Sequence, residues 1–141
     1  MKNLYLSLSS GLLFAFSWVD TGIFPLVFFA FIPLLILENN LSNLNKNNSL
    51  VLFCYSFLSF FLFNFITTYW IWHATIAGAF AAFVINALLM SLVMVLFHKV
   101  KKVLGAFKGY LFLIFFWISM EYLHLNWELA WPWLTLGNVF A

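Results

Sequence analysis

No arginine occurs in this 141-residue chain, and six lysines and four acidic residues are its only charged side chains at neutral pH. Charged residues make up 7% of the sequence, against 66% hydrophobic and 23% aromatic. A soluble globule of this size exposes far more surface than so few polar groups can cover, so that class is excluded. The lysines are too few and too scattered for a nucleic-acid surface, which leaves them as topology signals. Cys54 is the one cysteine, which rules out an intrachain disulfide and any CxxC metal or redox motif. The chain also lacks a Gly-x-Ser-x-Gly elbow, a His-Glu-x-x-His pair and a P-loop, so the residues themselves assign no catalytic residue, metal or cofactor.

What the chain has instead is a series of apolar runs. Residues 4–19 and 23–37 form two runs of about 15 residues, shorter than the roughly 20 that a spanning helix wants. The first follows Lys2 as a signal peptide would, but further membrane segments come at once, so it reads as a retained helix. Asp20, Thr21 and Gly22 make a polar turn, and Pro25 falls in the first turn of the next helix, where its missing N–H costs little. Residues 38–49, rich in Asn and Ser, read as a loop in water. Residues 50–72 extend roughly 34 Å as a helix, enough to cross a hydrocarbon core of about 30 Å. After a turn at 73–75, residues 76–97 cross back, lysines 99, 101, 102 and 108 mark a loop, and 109–126 make a fifth crossing. The fold class is therefore an all-α integral membrane protein, a single polytopic domain over residues 1–141 with about five transmembrane helices, the first two short. Five crossings put all six lysines on one side, which is the cytoplasmic side by the positive-inside rule. The amino terminus then lies inside and the carboxy-terminal end outside.

The last twenty residues hold most of the candidate chemistry. On a continuing helix, Trp117, Glu121, His124 and Glu128 follow at +4, +3 and +4 and share a face, while Trp131, Pro132 and Trp133 end it with amphipathic rings. A Glu121–His124 hydrogen bond at i+3 is the simple structural account of the seam, and a polar pocket shaped by Glu121, His124 and Glu128 is the functional one. Trp70, Trp72, Trp127, Trp131 and Trp133 all fall at the outer interface, where an aromatic belt is expected. Asn86 lies at steps of four from Gly78 and Ala82, a face suited to helix packing. His73 and His98 read as solvated or snorkelling groups, residues 99–102 as topology anchors or anionic-lipid contacts, and Cys54 as a buried, inert thiol.

The tail resembles a stretch of the apolipoprotein N-acyltransferases, in which a Trp-x-x-x-Glu helix precedes a Gly-Phe-Pro-Trp-like turn and a later Gly. Trp117 and Glu121 match the helix, and Pro132, Trp133 and Gly137 match the turn. Ala15, Phe16, Gly22, Pro25 and Pro33 resemble the family's first hairpin, and Tyr69, Trp70 and Trp72 its first outer loop. The departures are Ala130 for Gly, Trp131 for Phe, and His124 where an Arg often follows the Glu. The resemblance implies an enzyme of the bacterial cytoplasmic (inner) membrane that moves an acyl chain from a phospholipid donor to a diacylglyceryl lipoprotein acceptor. Its Glu, Lys and Cys triad sits in a nitrilase-like domain that follows the membrane helices at about the point where this chain stops. This chain then reads as the amino-terminal membrane portion without that catalytic domain, inactive alone, with no catalytic residue, metal or cofactor of its own and no nucleic-acid partner. Trp70, Glu121, Trp131, Pro132 and Trp133 become candidates for a lipid-facing substrate mouth, and Cys54, inside an apolar run, is excluded as nucleophile. The alternative is a small non-enzymatic membrane subunit or transporter-like bundle, supported by the Gly78, Ala82 and Asn86 face. Against it stands a lack of paired intramembrane charges.

Overall fold

A bilayer offers no water to backbone polar groups, so each apolar run must satisfy its own N–H and C=O groups, and the helix does this within one segment. The structure, a computed structural model, describes residues 1–18, 23–44, 48–127 and 132–140, and contains no strand among them. Its helices are α1 (Lys2–Trp18), α2 (Val27–Ala30), α3 (Ile32–Ser42), α4 (Ser49–Thr68), α5 (Ile76–Leu104) and α6 (Ala106–Leu125). Short 3-10 turns cover Phe24–Leu26, Tyr69–His73, Pro132–Leu134 and Leu136–Phe140. Among the described residues four stretches are long and apolar enough to cross a membrane: Phe24–Ser42, Ser49–His73, Ile76–Leu104 and Ala106–Leu125. With the 17-residue α1 they make an all-α membrane bundle whose first members are the short ones.

The ends of the helices follow from local chemistry. Thr75 caps α5, its Oγ1 accepting from the Gly78 N–H at 3.0 Å. At the other end of α5, Gly105 has φ +87°, a conformation that a residue with a Cβ rarely adopts, and it alone joins α5 to α6. The expected lysine loop is therefore helix: Lys99, Lys101 and Lys102 lie within α5 and Lys108 within α6. Lysine is a good helix former, and its charge near the C-terminus of α5 opposes the helix dipole favourably. The expected loop at 38–49 is corrected likewise, because α3 continues through Ser42.

The core is aromatic. Phe14 meets Phe31 edge-on at 4.8 Å, Phe31 meets Trp117 at 4.8 Å, and Phe60 lies 5.7 Å from Trp117, joining α1, the α2–α3 junction, α4 and α6. Helices α1 and α4 run parallel and close: a Cβ on Gly11 would stand 2.6 Å from the Ser59 carbonyl oxygen. Ser7 Oγ donates across this seam to the Tyr55 carbonyl at 2.7 Å, and Ser10 Oγ donates to the Ala30 carbonyl at 2.6 Å. Asn86 does act between helices, donating from Nδ2 to Asn64 Oδ1 of α4 at 2.6 Å. The packing face of α5 is Ala79, Phe83, Asn86, Ala87 and Met90, whereas Gly78 is exposed, so the stripe through Gly78 and Ala82 is not the one used. Cys54 is exposed on α4 rather than buried in protein, facing outward where lipid would lie.

Candidate functional site at the lysine-free end

The chain alternates direction, so Lys2 and the α5–α6 corner lie at one end of the bundle, and Trp18, Tyr69–His73, the end of α6 and the tail lie at the other. After α6 the tail turns back onto that second end. Pro132 opens a 3-10 turn, and its carbonyl accepts from Asn138 Nδ2 at 2.6 Å and from Thr135 Oγ1 at 3.3 Å, which winds the turn tightly. Leu134, 4% exposed, plugs into the main core, and Phe140 reaches Phe24 and Phe28 with ring centroids 5.9 and 6.0 Å apart.

Glu121 fastens this turn. Its Oε1 accepts from Trp117 Nε1 and from the backbone N–H of Leu136, both at 2.8 Å. A carboxylate in a membrane helix is costly unless donors meet it, and here two do. The expected Glu121–His124 bond is not made. His124 lies tilted against Trp127, with ring centroids 5.4 Å apart, and its two ring nitrogens are buried without a partner among the described residues. The physical reason is the returning tail: it brings a backbone N–H to Glu121 that a single-helix reading does not contain.

Of the five mouth candidates, the structure brings two together. Trp70, from the turn after α4, and Trp133, from the tail, meet edge to face with centroids 6.0 Å apart and planes at 90°. They remain 49% and 55% exposed, so each ring shows a face to the surroundings. Pro132 positions Trp133, and Glu121 sits beneath the same turn. Trp131 and Glu128 lie outside the described residues. A groove of about 300 Å³ opens beside this clasp, lined by Phe31, Leu35, Leu113, Ile114, Trp117, Ile118 and Leu136, all apolar.

The opposite end holds a cluster that sequence reasoning missed. Glu38 is 0% exposed on α3; its Oε1 accepts from Ser42 Oγ at 2.5 Å and stands 2.8 Å from His98 Nδ1, and its Oε2 accepts from Lys101 Nζ at 2.5 Å. His98 is likewise 0% exposed, so it is neither solvated nor snorkelling, and Lys101 is a partner in an ion pair rather than only an anchor. Paired charges within candidate spans therefore exist, against expectation, and Glu38 is enclosed and bonded three ways. The signal available in the sequence was an acid directly continuing the apolar residues 34–37, with His98 and Lys101 one turn apart on another helix. Among the described residues no three His, Cys, Asp or Glu come together.

Comparison with known proteins agrees with this architecture. Residues 10–141 match the family model described as the apolipoprotein N-acyltransferase N-terminal domain. The apolipoprotein N-acyltransferase of Chlorobaculum tepidum is 31% identical over 140 residues, an alignment covering 97% of this chain and 25% of that protein. The chain thus spans about a quarter of the length of the curated relative it matches. No solved structure matches it significantly. With nearly its whole length inside the family model, this chain belongs to the apolipoprotein N-acyltransferases and corresponds to their N-terminal membrane domain.

Proposed function

We propose that this chain is the membrane scaffold and outer mouth of an apolipoprotein N-acyltransferase, with the lysine-rich end in the cytoplasm and the Trp70–Trp133 end facing outward in the bacterial inner membrane. The observation that carries this reading is the aromatic pair at the lysine-free end, held by a turn that Glu121 clasps. Amphipathic rings sit comfortably at headgroup level, apolar toward the acyl chains and polar toward water. A rigid pair there offers an edge along which a phospholipid donor and a diacylglyceryl lipoprotein acceptor approach a catalytic domain above the membrane. In the family the acyl chain passes through a thioester on a catalytic cysteine to the α-amino group of the lipoprotein's first residue, which is two-step nucleophilic catalysis. Cys54 is unsuited to that role, because it lies in a candidate span, exposed on the outside of α4 near the end of the bundle opposite Trp70 and Trp133. The scaffold therefore contributes substrate approach and positioning, and Trp70, Glu121, Pro132 and Trp133 are its working residues, with Trp131 beside them in sequence.

The test uses a chimaera in which this chain replaces the matching quarter of the Chlorobaculum tepidum enzyme. Trp133→Ala is expected to lower acyl transfer by about tenfold, or about 1.4 kcal/mol of transition-state stabilisation, while Trp18→Ala leaves it near the parent rate. Equal losses at equal protein level identify both as belt residues and overturn the mouth.

A further inference from the structure

A small, partly open cavity lies between α5, α6 and the returning tail. Its volume is about 10 Å³; Met90, Met120 and Leu134 form its apolar wall, and Asn86, Glu121, His124 and Thr135 bring polar atoms to it. Two of these side chains are almost wholly enclosed, Asn86 at 2% and His124 at 5% exposure, and both carry unmatched polar atoms. Asn86 Oδ1 and both nitrogens of the His124 ring have no hydrogen-bond partner among the described residues.

The orientation of the Asn86 amide is fixed by its neighbours. Asn64 Nδ2 donates to the Phe60 carbonyl at 2.7 Å, so Asn64 presents Oδ1 to Asn86, and Asn86 must use Nδ2 toward it. The atom left over on Asn86 is therefore an acceptor. Glu121 adds carboxylate oxygens to the same lining, and Thr135 turns its hydroxyl proton toward the Pro132 carbonyl, leaving its oxygen lone pairs free to accept. A neutral imidazole supplies one N–H and one bare nitrogen. The cavity thus shows several acceptors and one donor to its occupant.

We propose that this cavity binds a single water molecule, which donates one hydrogen to Asn86 Oδ1 and the other to an acceptor on Glu121 or Thr135, and accepts the N–H of His124. The volume matches one water, and a polar site with two to four partners is the kind that holds one. A metal cation would want more ligands than this site gathers, since among the described residues no three His, Cys, Asp or Glu come together. An empty cavity would leave three enclosed polar atoms unmatched in a bilayer, where unmade hydrogen bonds are costly. With water in place, a continuous hydrogen-bonded chain runs from the Phe60 carbonyl through Asn64, Asn86 and the water to His124, beside the Glu121 clasp. It ties α4 and α5 to α6 and to the turn bearing Trp133. The inference stands on packing and polarity alone and does not rest on the acyltransferase reading.

The experiment is water-edited solid-state NMR on the whole chain in phospholipid bilayers, with histidine labelled by nitrogen-15 and His124 assigned by its loss in His124→Phe. The expected result is a neutral His124 ring that receives magnetisation from water as strongly as exposed His73 does, unchanged when sodium is replaced by choline. In Thr135→Leu, whose side chain fills the cavity from the tail, that transfer is expected to be lost while the His124 signals and the near-ultraviolet circular dichroism persist. No transfer in the unsubstituted chain overturns the proposal, whatever the variant does. A sodium-dependent shift of the His124 ring assigns the cavity to a cation and overturns it as well, as does undiminished transfer in folded Thr135→Leu.

Discussion

Removing one member of the Glu38–Lys101 pair should have unequal consequences depending on which member goes. Lys101→Met keeps the stem that packs against Gly109, where a Cβ would stand 2.7 Å from Lys101 Cβ, but removes the ammonium. It strands a carboxylate that is 0% exposed, with only Ser42 and His98 left to meet it. Breaking a buried pair in this way costs about 3–5 kcal/mol. Glu38→Gln is milder, because the Lys101 side chain is already 10% exposed and can carry its ammonium out to the headgroups. The loss there is one charge-assisted hydrogen bond, about 1.5–3 kcal/mol. The double variant buries no unpaired charge, so it should be more stable than Lys101→Met alone. Unfolding in mixed micelles titrated with sodium dodecyl sulfate, followed by tryptophan fluorescence, gives the three values. A cost below about 1 kcal/mol for Lys101→Met, or a double variant no more stable than that single one, would refute the reasoning that Glu38 is an enclosed anion.

Two further outcomes follow from packing and topology. Gly11→Ala should destabilise by about 1–3 kcal/mol because its new methyl meets the Ser59 carbonyl oxygen at 2.6 Å, while Gly137→Ala, with nothing within 4 Å, should change stability by less than about 0.5 kcal/mol in the same unfolding assay. In a Cys54→Ser background, a membrane-impermeant maleimide should label Asn138→Cys from outside intact cells and Val103→Cys only after the cytoplasmic side is opened; labelling of both from one side contradicts the proposed orientation.

The sequence made the membrane class and the order of helices legible because hydropathy depends on local composition, which each run carries by itself. Trp70 and Trp133 could each be singled out from motif position, but not the edge-to-face contact between them. What stayed hidden was every feature made by two distant segments. Glu38 looked like the start of a water loop because its partners, His98 and Lys101, are sixty and sixty-three residues away. Glu121 looked bound to His124 because a helix wheel shows only i+3 and i+4 neighbours, whereas the Leu136 N–H arrives from the returning tail, fifteen residues on. Cys54 and Gly78 were misplaced for a related reason: an apolar helix has no hydrophilic face to mark which side meets lipid and which meets protein. The face of α5 through Ala79, Phe83, Asn86 and Met90 is set by α4 and the aromatic core, not by any polarity gradient around α5 itself.

The central claim is that this chain serves as the membrane domain of an apolipoprotein N-acyltransferase. It is tested most directly by placing the chain in front of the remaining three quarters of the Chlorobaculum tepidum enzyme, in a bacterial strain depleted of its own. Mass spectrometry of a lipoprotein's amino-terminal peptide is the readout. The account predicts that the chimaera adds one acyl chain to the diacylglyceryl-cysteine, and that this chain expressed alone inserts in the membrane yet adds none. A chimaera that inserts at the normal level but leaves the peptide diacylated, or acylation restored by this chain alone, would contradict it.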